Sequence, residues 1–143
     1  PKNALRKQEK NITPLIKKAK EADVGYIWLQ METSRGCPYK CSYCLSSLEE
    51  KVRFFSIERV KKTIIYLMEN GSKTIKFLDR TFNANKNTLD LLSFIIENNN
   101  NKTVFQFEIT GQKNRTPILL WLYPRLKQHG YRISDILCVH RIQ

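Results

Sequence analysis

Three thiols stand close together in this chain, at Cys37, Cys41 and Cys44. Gly36 precedes the first and Pro38 follows it, residue types expected where a backbone turns tightly around a small object. Soft thiolates at this C-x3-C-x2-C spacing suit either an iron–sulfur cluster or zinc. The local ligands number three. A structural zinc site is normally closed by four, so it would have to recruit Cys138, His129 or His140 from far along the chain. A [4Fe–4S] cluster held by three cysteines leaves one iron without a protein ligand, and that iron is where chemistry can occur. An electron-carrying ferredoxin is disfavoured on the same count, because its clusters use four protein ligands each.

The elements that must position this loop are legible on either side of it. Val24 to Thr33 is rich in β-branched, aromatic and aliphatic residues and reads as a buried strand leading directly into the cysteines. Ser56 can cap a helix whose apolar stripe is Ile57, Val60, Ile64, Leu67 and Met68, with Asn70-Gly71 as its stop signal. Thr74 to Asp79 reads as a second strand. Leu89, Leu92, Phe94, Ile95 and Ile96 supply the buried side of a second helix, which ends in the asparagine run 98–101. Val104 to Ile109 is a third strand, and its alternation sets Val104, Gln106 and Glu108 on one side and Phe105, Phe107 and Ile109 on the other. Strand, helix, strand, helix, strand at this spacing predicts parallel pairing and an α/β architecture, either an open or partial barrel or a doubly wound sheet. In either case the cysteine loop, Asp79-Arg80 and Glu108 fall at the carboxyl ends of strands, where such folds bind ligands.

The segment ETSRGCPYKCSYCLSS, with Tyr43 just before the last cysteine, resembles the signature of the radical S-adenosylmethionine (SAM) superfamily. Together with VRFFSIERV and IKFLDRTFNAN it is similar to a clostridial-type group of cobalamin-binding-domain-associated radical SAM proteins, over roughly residues 26–110. The resemblance implies a partial (β/α) barrel with parallel strands, of which this chain supplies about the first half. It implies that Cys37, Cys41 and Cys44 hold a [4Fe–4S] cluster. SAM would chelate the open iron, and an electron from a donor such as a flavodoxin or ferredoxin would cleave it to a 5′-deoxyadenosyl radical. The family pattern places Tyr43 near the adenine, makes Asp79 a candidate for the SAM amino group and Glu108 a candidate for another polar contact. Asp79 and Glu108 read equally as ordinary strand-end residues, as do Arg35 and Arg80. The Gly-Gly-Glu often found after the second strand is replaced here by Leu78-Asp79-Arg80. Cobalamin enters through the family alone, by way of a domain that this chain does not display.

The rest of the sequence sets bounds. A chain of 143 residues, 41% of them hydrophobic, can build one core without staples. Residues 1–23 read as a basic leader, 24–110 as the core with three β/α units, and 111–143 as an atypical tail with at most a brief helix between Pro117 and Pro124. The loss of periodicity after Thr110 leads to the expectation of a truncated or frameshifted member whose last thirty or so residues are not native barrel sequence. The formal charge of +12 favours anionic partners, and with Tyr39 and Tyr43 as stacking surfaces it supports a rival reading as a zinc-stabilised basic module that binds nucleic acid. Ligand count separates the two. Closely spaced cysteines with no secretory leader ahead of them predict a reduced, cytoplasmic protein. The apolar run 118–123 is far short of the roughly 20 residues that a membrane span needs.

Overall fold

The computed structural model describes residues 13–14, 17–18, 21, 28–48, 51–100, 103–110, 124–130 and 136–141. Its strands are β1 (Trp28–Met31), β2 (Ser34–Arg35), β3 (Arg53–Phe54), β4 (Thr74–Phe77), β5 (Val104–Thr110) and β6 (Ile136–Arg141). Helix α1 spans Ile57–Glu69 and α2 spans Thr88–Asn98. The first strand ends at Met31, two residues before the Thr33 that the sequence suggests, and residues 24–27 lie outside the described part.

Strands β1, β4, β5 and β6 form one sheet in that order, every pair parallel. Leu29 stands opposite Ile75, and Ile75 opposite Phe105, in an apolar row; the next row is Gln30, Lys76 and Gln106. The alternation predicted for β5 is present, with Phe105, Phe107 and Ile109 buried and Val104, Gln106 and Glu108 partly exposed. The buried residues of both helices, Val60, Ile64, Leu67 and Met68 from α1 and Leu91, Leu92, Ile95 and Ile96 from α2, join the apolar strand rows in a single core. Both helices therefore cover one face of the sheet, and the opposite face carries the polar row. That is the layering of a partial (β/α) barrel rather than of a doubly wound sheet, whose helices cover both faces.

Local chemistry explains the boundaries. Gly71, at φ +84°, takes the left-handed position just past α1, where the Gly71 N–H donates to the Met68 carbonyl and the Ser72 N–H to that of Leu67. These two bonds satisfy carbonyls that the helix end would leave open. Ser56 occupies the position before α1 without a side-chain capping bond. At the far end of α2, Asn99 holds Thr103 by a pair of bonds, side-chain oxygen to N–H and side-chain amide to carbonyl, both 2.8 Å. The asparagine run thus turns the chain back into β5.

One expectation is corrected. Leu89, counted among the buried positions of the second helix, is 42% exposed, and Leu91 fills that place at 0%; the helix is rotated so that Thr88, Leu91, Leu92, Ile95 and Ile96 face inward. The tail after Thr110 does not end the sheet, because β6 pairs with β5 over six residues, from Phe105 with Ile136 to Thr110 with Arg141. A short helix occupies residues 124–128, starting at a proline, and buries Leu126 in the core; the apolar run 118–123 lies outside the described residues. A fourth parallel strand in sequence order is what a barrel continuing past its third unit contains.

Burial separates two leucines of α2. Leu91→Ala should lower the unfolding free energy by about 2–5 kcal/mol, whereas Leu89→Ala should change it by about 0.5 kcal/mol or less, as read from urea unfolding followed by circular dichroism.

Candidate functional site

Strands β2 and β3 are two residues each and run antiparallel, Ser34 opposite Phe54 and Arg35 opposite Arg53. The Phe55 N–H adds a bond to the Thr33 carbonyl at 2.9 Å. The chain between these strands, which carries all three cysteines, is therefore a loop closed at its base by backbone pairing. Gly36 enters it at φ +102°, a conformation costly for any residue with a Cβ. A turn follows at Cys41–Cys44, where the Cys44 N–H donates to the Cys41 carbonyl at 3.1 Å, and residues 45–48 form one turn of 3₁₀ helix.

The base of the loop is held by Asp79. This carboxylate follows β4 and is fully buried. It accepts the Thr33 backbone N–H at 3.0 and 3.2 Å, the Thr33 hydroxyl at 2.6 Å and the Ser34 hydroxyl at 2.6 Å. The Asn85 amide donates to the Thr33 hydroxyl oxygen at 3.3 Å. Bonds to a charged acceptor are roughly twice as strong as neutral ones, so this cluster ties the end of β4 to the two residues that lead into the cysteines. The family resemblance makes Asp79 a candidate for a cofactor amino group; in the structure its carboxylate faces inward and engages the loop base. Thr33, Ser34 and Asn85 escaped sequence reasoning. They are short polar residues, Thr33 and Ser34 just past β1 and Asn85 just past a 3₁₀ turn, and no periodicity marks them.

Cys37 is buried, whereas Cys41 and Cys44 are partly exposed; none of the three is in a disulfide. The Cys37 sulfur lies 3.7 Å from the Thr81 hydroxyl. Among the described residues no three Cys, His, Asp or Glu side chains converge closely enough to hold a metal ion. The thiols are carried on one loop but are not drawn together. Their chemistry fits a thiolate-ligated cluster: three reduced sulfurs, one short loop, a fixed base and solvent access at two of the three.

An open cleft of about 450 Å³ lies beside the loop at the carboxyl ends of β1, β4 and β5. It is lined by Glu32, Ser34, Arg35 and Gly36 on the loop side, Leu45 and Ser46 beyond the cysteines, Leu78 and Arg80 after β4, and Glu108 on β5. The structure thus brings Arg35, Arg80 and Glu108 to one place with the backbone leading into Cys37. Arg35 forms an ion pair with Glu32 at 2.7 Å. Tyr43 is 76% exposed at the tip of the loop and is absent from the cleft wall. A second cavity of about 350 Å³, between β1 and α1, is lined by Leu29, Met31, Phe55, Arg59 and Tyr66 among others, and by no cysteine. Of the residues weighed for a fourth zinc ligand, His129 is exposed beyond the helix at 124–128, while Cys138 and His140 lie on β6 opposite Phe107 and Ile109.

A cysteine loop after the first strand of a parallel sheet, helices on one face, and a cleft at the strand ends make up the arrangement that the sequence resemblance implies. The chain matches the model of the radical SAM superfamily over residues 31–133, and it belongs to that superfamily. The match runs past Thr110 into the segment that the sequence reading set aside as atypical. The chain is also similar to an uncharacterized methyltransferase of Pyrococcus horikoshii, 49% identical over 57 residues, which is 38% of this chain and 12% of that protein. The matched region is therefore a small part of that relative. No helix among the described residues is long and apolar enough to cross a membrane.

The buried carboxylate gives a direct test of how the loop is held. Asp79→Ala leaves buried donors of Thr33 and Ser34 without their acceptor, at about 1–3 kcal/mol each, so the variant should be destabilised by at least about 3 kcal/mol in urea unfolding. Asp90→Ala, which removes an exposed partner of Lys61, should cost no more than about 1 kcal/mol.

Proposed function

We propose that this chain carries the cluster- and SAM-binding part of a radical SAM enzyme, with Cys37, Cys41 and Cys44 as the three ligands of a [4Fe–4S] cluster. The observation that carries the reading is the loop itself: the three thiols of the chain's superfamily motif, none in a disulfide, on a segment clamped at its base and opening beside a cleft at the strand ends. When bound, the cluster supplies one electron for reductive cleavage of SAM to a 5′-deoxyadenosyl radical, and an external donor such as a flavodoxin or ferredoxin replenishes it.

The residues of the chain bind and position. Asp79, Thr33 and Ser34 fix the entry to the loop, so that the first ligand is presented from a hydrogen-bonded base, with Cys41 and Cys44 further along and partly exposed. Arg35 and Arg80 bring positive charge to a cleft where a carboxylate-bearing cofactor would sit, and Glu108, on the polar side of β5, offers an acceptor for an ammonium or hydroxyl group. Tyr43 reaches a bound adenine if the exposed tip of the loop folds over the cleft as the thiols gather. The archaeal relative's description points to methyl transfer as the reaction class of the whole protein. Cobalamin would accompany that chemistry as a second cofactor.

The test is anaerobic reconstitution with iron and sulfide, followed by electron paramagnetic resonance of the reduced protein with and without SAM. A [4Fe–4S] signal that changes on adding SAM is expected. Alanine at Cys37, Cys41 or Cys44 should each abolish the signal, and Cys138→Ala should leave it intact. Tight zinc binding that requires Cys138 or a histidine would overturn the assignment.

A further inference from the structure

Thr81 is placed in a way that its position in the chain does not require. It precedes the short 3₁₀ turn Phe82–Ala84, where a threonine ordinarily spends its side-chain oxygen on an N–H of the turn. Here it makes no such bond; the backbone carbonyl of Thr81 accepts the Ala84 N–H at 3.0 Å, and the hydroxyl lies instead 3.7 Å from the Cys37 sulfur. Both groups are buried, Thr81 at 6% exposure and Cys37 at 8%.

The neighbours of Thr81 leave it little freedom. Two residues before it, the Asp79 carboxylate is bonded to Thr33 and Ser34. One residue after it, the Phe82 ring packs on Phe107 and Phe77 with centroids 4.4 and 5.2 Å apart. The hydroxyl is therefore held on a short segment anchored at both ends, one anchor at the base of the cysteine loop and the other in the aromatic core.

We propose that Thr81 is a positioning residue that donates its hydroxyl proton to the sulfur of Cys37 and thereby sets the reduction potential of the cluster. The proposal rests on Cys37 being a cluster ligand. A thiolate has lone pairs and no proton, so towards it the threonine can only donate. A donor aimed at a ligating sulfur stabilises the more negative, reduced form of a cluster and raises its potential, and a buried site strengthens the effect. Cys41 and Cys44 are more exposed, so the Cys37 side is where the protein rather than water determines the sulfur's surroundings.

The experiment compares wild type, Thr81→Val and Thr81→Ser after reconstitution, with midpoint potentials from redox titration followed by electron paramagnetic resonance and iron–sulfur stretching frequencies from resonance Raman. Valine keeps the shape and removes the donor; serine keeps the donor. The expected result is a potential shifted to more negative values and an altered iron–sulfur stretch in Thr81→Val, both restored in Thr81→Ser, with equal cluster content in all three. Equal potentials and spectra in wild type and Thr81→Val would overturn the role of Thr81 while leaving the cluster assignment standing. Cluster loss in Thr81→Val alone, with Thr81→Ser unchanged in potential and content, would support donation to the ligand. Loss in both variants would overturn it in favour of a packing role. Failure of the wild type to hold a cluster would overturn the ligand assignment and this inference with it.

Discussion

A buried carboxylate holds the candidate site together. Asp79 sits at the end of a central strand, inaccessible to solvent, where an ionised group is tolerated only if its charge is met by hydrogen bonds. Thr33 and Ser34 provide them, from one backbone N–H and two hydroxyls. This interaction fixes the spacing between the first strand's exit and the fourth strand's end, and the path of the cysteine loop follows from that spacing. Its cost when broken is high in both directions, because the carboxylate would lose its donors and the loop base would lose its acceptor.

The surrounding fold supplies rigidity by a different means. Phe77, Phe82, Phe105 and Phe107 form a connected group of rings, with centroid separations from 4.4 to 6.4 Å. Such contacts add to plain burial and favour defined geometries. Phe82 belongs to both systems, since it lies in the aromatic core and follows the Asp79 segment by three residues. The strand ends are thus held between an apolar cluster below and a polar cluster above. The loop beyond them keeps exposed residues such as Tyr43 and Leu45.

The parallel sheet gives this arrangement its location. Parallel strands linked by helices on one face bring every loop of one type to the same end, so Gly36, Leu78, Arg80 and Glu108, far apart in the chain, come to line one cleft. Their charges are mixed. Arg35 is already paired with Glu32, and the cleft combines basic groups with carboxylates rather than presenting one sign. The overall charge of +12 is therefore a poor guide to what binds at the strand ends.

Residue order alone is enough for the cysteine loop, the parallel α/β class and most of the core. The thiol spacing is local, and the 3.6- and 2-residue periodicities of α1 and β5 are read directly from residue order. Periodicity alone left partial barrel and doubly wound sheet open, because it says which side of a helix is buried and not which face of the sheet it covers; the family resemblance pointed to the barrel. Periodicity also placed Leu89 inward, since Leu89 and Leu91 are alike in composition and only packing against the sheet sets the helix's rotation. It stopped at Thr110, where pairing of β6 with β5 depends on a neighbouring strand rather than on a strong internal pattern. Tertiary structure alone decided that Asp79 turns inward to Thr33 and Ser34 and that Thr81 meets Cys37. Those contacts join residues more than forty positions apart, and a short polar side chain carries no sign of its partner until the fold brings the two together.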